Sequence, residues 1–194
     1  VDAAEAILAQ LDEPPLDLSG FSRDPQGKRP ASVLVPLIDC GAEVSILLTQ
    51  RADHLKNHGG QISFPGGRVE EGDAGPEGTA LREAAEEIGI DPAQVEIVGR
   101  LDDYVTVTGF LVTPIVGVLT PPLELTLDPF EVANAFEVPL DFVMNPANHR
   151  LETRIYKGMR RAYYAMPHGE RYIWGATAAM LMNLHAVLRE HTKI

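Results

Sequence analysis

A single cysteine, Cys40, occurs in 194 residues, so no disulfide can form within the chain. That scarcity makes a reducing, cytoplasmic setting the expectation, with Cys40 an inert small residue beside Gly41 at a turn. Basic residues are scarce as well, 16 Lys and Arg against 28 Asp and Glu, for a formal net charge of −12. The deficit argues against broad nucleic-acid or anionic-membrane binding, which needs a basic surface. It leaves room for a polyanionic small molecule held by a metal and a few local cations. No apolar run is long enough to span a bilayer. The N-terminus lacks the basic-then-apolar order of a secretory signal, and a start at Val1 suggests that a short leader is removed or left out. His149, His168, His185 and His191 lack His-x-x-x-His spacing, and no Gly-x-Ser-x-Gly occurs, so neither a zinc nor a serine-nucleophile centre has support.

The length suits one domain with a substantial core. Residues 3–11 have helical spacing that Pro14–Pro15 end, and residues 12–31 read as a Pro-, Gly- and charge-rich connector. Residues 1–30 are therefore expected to pack as an appendage on a domain of residues 31–194. Runs at 32–38 and 44–50 suggest a hairpin. A helix of about 74–88 should end at Gly89 in the left-handed conformation. Further strands are expected at 95–107, 111–119 and after Pro129, then a short helix beyond Pro139. A hairpin turning near Lys157–Gly158 and a strand at 170–174 follow. The last segment places Ala176, Met180, Leu184, Val187 and Leu188 on one helical face. Many strands with few helices, not strictly alternating, predict an α/β fold with a mixed sheet flanked by helices. The apolar band of the last helix, widened by Leu181, predicts a homodimer.

The chemistry concentrates at residues 64–90. On the helix, Ala80, Leu81, Ala84, Ala85 and Ile88 form an apolar stripe, while Glu83, Glu86 and Glu87 project from the other side at i, i+3 and i+4. Three carboxylates so close repel one another, and together they make a preformed oxygen cage for Mg²⁺ or Mn²⁺. Taken alone they fit a solvated acidic face better, and the glycine loop beside them is what favours the cage. Gly66 and Gly67 let the backbone turn sharply, approach a ligand and expose a carbonyl toward the same metal. Arg82, four residues before Glu86, is placed to orient it.

Gly67, Arg82, Glu83, Glu86, Glu87, Gly89 and Ile90 resemble the Nudix box, the signature of hydrolases that cleave a nucleoside diphosphate linked to another group. The box departs in three places: one extra residue lies between Gly67 and Arg82, Asp73 replaces the usual glutamate, and Ala84 replaces a bulkier aliphatic. The preceding segment is similar to that of coenzyme A pyrophosphatases, through Leu47, Leu48, Thr49, Arg51, Ala52, Gly60, Phe64, Pro65, Gly66 and Gly67. Lys56 stands where that pattern usually has arginine, and His54 and His58 accompany it. Segments 109–119 and 172–184 are similar more weakly.

The resemblance implies an α/β/α Nudix sandwich that hydrolyses coenzyme A or an acyl derivative to 3′,5′-ADP and 4′-phosphopantetheine. It assigns the metal to Glu83, Glu86, Glu87 and Gly67, catalysis to Glu83, Glu86 and Arg82, and substrate contacts to Arg51, Lys56 and Gly66. Arg51 and Lys56 would meet the 3′-phosphate. The general base is Glu83 or an acid beyond the box, with Glu124, Glu131 and Glu137 as candidates. Tyr104, Thr106, Thr108 and Phe110 are either a nucleotide pocket or strand core and rim, and Tyr163 and Tyr164 read as sheet residues. Two alternatives stand: a Nudix hydrolase of ADP-ribose or a dinucleoside polyphosphate, and a non-catalytic Nudix sensor, a class that typically loses box carboxylates.

Overall fold

The computed structural model describes residues 16–17, 25–56, 58–156 and 158–191. The expected helix at 3–11 lies outside them. Leu16–Asp17 (β1) stands apart, and the main sheet begins with β2 (Arg29–Asp39). β2 runs parallel to β8 (Phe110–Leu119), with Arg29 opposite Phe110 and Ile38 opposite Leu119. Both strands are covered on both faces, which is why they read as continuous apolar runs rather than alternating ones. β3 (Val44–Arg51) returns antiparallel to β2 after a turn in which Gly41 N–H donates to Asp39 Oδ1 at 2.7 Å.

The other partners are all antiparallel. β4 (Ile62–Ser63) and β9 (Val132–Pro139) join β3. β5 (Gly66–Arg68) joins β2, and β6 (Glu96–Arg100) and β7 (Tyr104–Val105) join β8. One parallel pair among antiparallel ones makes this the expected mixed sheet. A second sheet, not foreseen from the sequence, contains β10 (Arg150–Tyr156), β11 (Met159–His168) and β12 (Arg171–Trp174), with β1 parallel to β11. The strand expected at 95–107 divides in two. A register shift between Ile97 and Gly99 breaks the ladder, and Leu101 turns into the core. The connector ends earlier than residue 31, since Arg29 and Pro30 already belong to β2.

Helix α1 (Gly75–Ile88) covers one face of the main sheet, Ala80 and Ala84 packing on Leu34 and Ile115. Two further helices follow: the short α2 (Leu140–Met144), and the 17-residue α3 (Gly175–His191) at the C-terminal side. Together with β11, α3 covers the opposite face, with Met180, Leu181 and Leu184 packing beside Val35, Leu48, Val116 and Met166. Burying each such side chain contributes about 1.5–3 kcal/mol, so the apolar band of α3 is used within its own chain. Only Val187 of that band is exposed, which removes the sequence argument for a homodimer. No helix among the described residues is long and apolar enough to cross a membrane.

Candidate active site

Gly66 and Gly67 open β5 against the middle of β2, and α1 packs over them. At Gly66 the backbone has φ of 155°, and an added Cβ would stand 2.6 Å from Val33 Cα. Only glycine permits so close an approach. Gly67 faces α1, and an added Cβ there would fall within 2.6 Å of Glu83 Oε2. The missing side chain is therefore the space that the Glu83 carboxylate occupies. One helical turn on, Glu87 Oε2 accepts a hydrogen bond from Gly66 N–H at 3.2 Å. Two glutamates thus flank one glycine pair.

Glu87 is not on the solvent side of α1. Its side chain is 4 % exposed, because position 87 follows Ala80 by two turns and Ala84 by three residues, on the face that packs against the sheet. Arg51, at the end of β3, places Nη1 3.6 Å from Glu87 Oε1 and Nη2 4.0 Å from Glu131 Oε2. These partners differ from the phosphate contact expected for Arg51. Burial is the largest influence on Glu87 and pushes its carboxyl up to about 7. The Gly66 N–H and the Arg51 guanidinium oppose that rise, while Glu131 and Glu83 add to it. Glu83 is also raised, first by burial, with Arg82 working against it.

Arg82 is the hub of the outer side. It donates through Nε to Asp73 Oδ1 at 2.9 Å, and through Nη2 to the Arg68 carbonyl at 3.0 Å. Its Nη1 lies 3.0 Å from both Glu83 Oε1 and Glu86 Oε2. Asp73 also accepts from Glu70 N–H and the Thr79 hydroxyl, both at 2.8 Å. Those donors, Arg82 first, hold its carboxyl well below the usual carboxylate range. The aspartate at this departure from the box is thus the anchor of the loop leading into α1, a role the motif alone did not indicate.

The carboxylates do not form the expected preformed cage. Among the described residues no three His, Cys, Asp or Glu side chains converge on one point. Like charges separate and each finds an arginine: Glu83 and Glu86 turn to Arg82, and Glu87 to Arg51. Glu86 is 61 % exposed and lies at the rim. A hard divalent cation nevertheless fits the donor set. Glu83 and Glu87 offer carboxylate oxygens on either side of Gly66–Gly67, and the charge of buried Glu87 is only partly compensated by one N–H and one guanidinium. A cation would supply the remaining compensation.

The other candidates separate clearly. The Glu131 backbone carbonyl accepts from Ala52 N–H at 2.8 Å, and Asp128 N–H donates to the Glu87 carbonyl at 2.9 Å, so this loop is tied to the site. Glu137 instead meets the Ser45 hydroxyl, and Glu124 is exposed in the loop before β9. Lys56 is exposed in the turn after β3. Tyr104 packs against the core, whereas Thr106 and Thr108 form a tight turn ahead of Phe110. His149 and His185 meet edge to face at 4.7 Å, away from these acids in sequence, with His185 on α3 and His149 Nε2 2.7 Å from the Val143 carbonyl of α2.

Residues 28–156 match the NUDIX domain. The chain belongs to the Nudix family. A relative from Photorhabdus laumondii, named uncharacterized Nudix hydrolase NudL, is 38 % identical over 183 residues, covering 94 % of each chain. Its namesake from Enterobacter sp. is 39 % identical over 164 residues, covering 84 % of this chain and 85 % of the other. Among solved structures, the NUDIX domain of Shewanella oneidensis NrtR, complexed with ADP ribose, aligns with a TM-score of 0.52 at 17 % identity. That alignment covers 97 % of this chain and 99 % of that one. A C. elegans Ap4A hydrolase aligns with a TM-score of 0.50 at 23 % identity, over 57 % of this chain and 80 % of its own. At such identities the structural likeness concerns the fold. Family membership makes the protein a pyrophosphohydrolase of the Nudix type, whose members use divalent metal ions.

Proposed function

We propose that this Nudix enzyme hydrolyses the diphosphate bond of coenzyme A or a close derivative, giving 3′,5′-ADP and 4′-phosphopantetheine, with Mg²⁺ or Mn²⁺ in a cytoplasmic setting. The observation that carries the reading is the continuity of two elements. The segment 47–67, similar to that of coenzyme A pyrophosphatases, ends on the glycine pair that Glu83 and Glu87 flank, and its Arg51 reaches Glu87. Glu83, Glu87 and the Gly67 carbonyl would hold the cation, joined by Glu86 once it leaves Arg82. Bound there, a divalent ion neutralises the diphosphate and lowers the pKa of a water.

The remaining work belongs to side chains. Arg82, clamped by Asp73 and the Arg68 carbonyl, positions Glu83 and Glu86. Glu83, raised by burial, is suited to take the proton of the attacking water, and Glu131 is the carboxylate beyond the box that stands beside Arg51 and can share that task. Arg51 holds Glu87 toward the glycine pair, and Gly66 presents its N–H to the same carboxylate. Lys56 lies exposed in the turn after β3, where its charge would attract a polyphosphate in an otherwise acidic protein.

Other Nudix substrates define the competing reading, and a product assay separates them. Purified protein with Mg²⁺ or Mn²⁺ is given coenzyme A, dephospho-coenzyme A, ADP-ribose and diadenosine tetraphosphate separately, and products are identified by mass. The reading expects 3′,5′-ADP and 4′-phosphopantetheine from coenzyme A as the fastest conversion. Faster cleavage of ADP-ribose or of the dinucleoside polyphosphate would overturn it.

A further inference from the structure

Two arginines beside the catalytic loop have no acidic partner among the described residues. Arg29 begins β2 and Arg68 ends β5; both are exposed, and no ion pair joins either to a carboxylate among the described residues. In a chain with 28 acidic and 16 basic residues, arginines paired with acids are the expectation, as at Arg51 and Arg82. Here both guanidinium groups turn to one aromatic ring instead. The Arg29 Cζ lies 4.1 Å from the Phe110 ring centroid and the Arg68 Cζ 5.4 Å from it. The Thr108 carbonyl, in the turn before Phe110, accepts from Arg29 Nη2 at 3.5 Å.

Strand register explains the convergence. Arg29 pairs with Phe110 and Ala31 with Arg68, two residues apart on β2 and so on one face of the sheet. Gly67 faces Glu83 on the α1 side, so the next residue, Arg68, points to the opposite face. Its carbonyl still bonds to Arg82. The cationic pair therefore sits on the face of β5 opposite the carboxylates, one residue along the strand from Gly67. Stacking on an exposed ring orients a guanidinium but leaves its charge in place, and two such charges on one ring repel. An anion bound between them converts that repulsion into two charge-assisted hydrogen bonds.

We propose that Arg29 and Arg68, oriented by Phe110, form an anion subsite for a phosphomonoester carried on the ribose of the substrate. The identity of that group rests on the coenzyme A reading. In coenzyme A, the 3′-phosphate stands on the same ribose whose 5′ position carries the diphosphate. That ribose would pass the edge of β5, which pairs only with β2 among the described residues, to reach both faces. The subsite takes over the phosphate contact that the resemblance assigned to Arg51 and Lys56, of which Arg51 is engaged with Glu87 and Glu131.

Calorimetric titration of the full chain with 3′,5′-ADP and with 5′-AMP, in Mg²⁺, tests the subsite. The expected result is tighter binding of 3′,5′-ADP by about tenfold or more, the scale of a charged hydrogen bond. The Arg29→Gln, Arg68→Gln double variant should bring the two ligands to parity, and Arg68→Glu should reverse their order. A preference that survives in the double variant overturns the subsite. Inorganic phosphate bound as tightly as 3′,5′-ADP overturns the substrate reading in favour of a free-phosphate site. Turnover distinguishes this proposal from the one beneath it. A preference lost in the variants of an enzyme that leaves coenzyme A intact supports the subsite and removes the coenzyme A reading. A preference kept in the variants of an enzyme that cleaves coenzyme A does the reverse.

Discussion

Gly67 and Glu83 share one volume: the carboxylate of Glu83 fills the place where a side chain at 67 would stand. The two residues lie 16 positions apart in the chain, and the turn anchored on Asp73 brings them together. Gly67→Ala should therefore leave the fold in place, because the group displaced is the far end of a flexible side chain. It should lower kcat by about ten- to a hundredfold through the displaced carboxylate. Gly66→Ala should behave differently, since its Cβ would strike the backbone of Val33. Melting curves and turnover on both variants check the contrast; a Gly66→Ala protein as stable as Gly67→Ala would contradict it.

Glu87→Gln keeps the shape of the side chain and removes a charge from the donor set. Turnover should fall by about a hundredfold or more, whereas Glu86→Gln, at the exposed rim, should cost about tenfold or less. Titrating each variant with Mn²⁺ and following bound metal supplies a readout independent of turnover. Equal losses in the two variants would argue against the ranking that burial implies.

The raised carboxyl of Glu87 gives a pH signature in the presence of chelator. Between its ordinary value of 4.5 and about 7, the folded protein holds a proton there that the unfolded chain has released. Stability should consequently fall as pH rises through that window, by on the order of 1–3 kcal/mol. Asp73 acts oppositely: it is held below its ordinary value of 3.8, so its contribution is present throughout this window and is lost only in stronger acid. Melting temperature measured from pH 5 to 7.5 in EDTA should decline, and Glu87→Gln should flatten the decline. A rising or unaltered profile in the variant would count against this assignment.

Arg82→Lys retains the charge but loses the fork that binds Asp73, the Arg68 carbonyl, Glu83 and Glu86 together. Losing one or two such bonds should cost about 1–3 kcal/mol, with a melting temperature lower by roughly 2–4 °C per kcal/mol in a domain of this size. kcat should drop while KM changes little, because Arg82 positions carboxylates rather than substrate. A change confined to KM would show that Arg82 contacts substrate instead.

Much of the site was readable because its signals are local. Glu83, Glu86 and Glu87 are spaced by the helical period, Gly66 and Gly89 mark backbone that only glycine adopts readily, and Gly67 marks a close approach. What periodicity missed was the rotation of Glu87 onto the buried face: its placement depends on which residues α1 lays on the sheet, and a charge at a core position looks like a surface charge until the sheet is in view. Arg51 was located correctly beside the box, but its partners Glu87 and Glu131 come from α1 and from the loop before β9, contacts of long range that no spacing encodes. The strands of the second sheet were legible one by one, near residues 150–174. Their separation from the main sheet was not, since pairing between strands is set by packing rather than by the alternation within each.

The pairing of Arg51 with Glu87 also changes what Arg51→Ala should do. It removes a support of the metal-side carboxylate, so all diphosphate substrates should slow together, by about tenfold. The preference among substrates should then reside with Arg29 and Arg68. Comparing kcat/KM of Arg51→Ala on coenzyme A and dephospho-coenzyme A checks this; a loss confined to coenzyme A would return the phosphate contact to Arg51.

The proposed coenzyme A specificity is tested most directly by the ratio of kcat/KM on coenzyme A to that on ADP-ribose, measured with the unmodified enzyme in saturating Mg²⁺ and again in Mn²⁺. One charged phosphate contact is worth about ten- to a hundredfold, so the ratio is expected to exceed about ten with either metal. A ratio at or below one with both metals would leave a Nudix hydrolase and contradict the coenzyme A assignment.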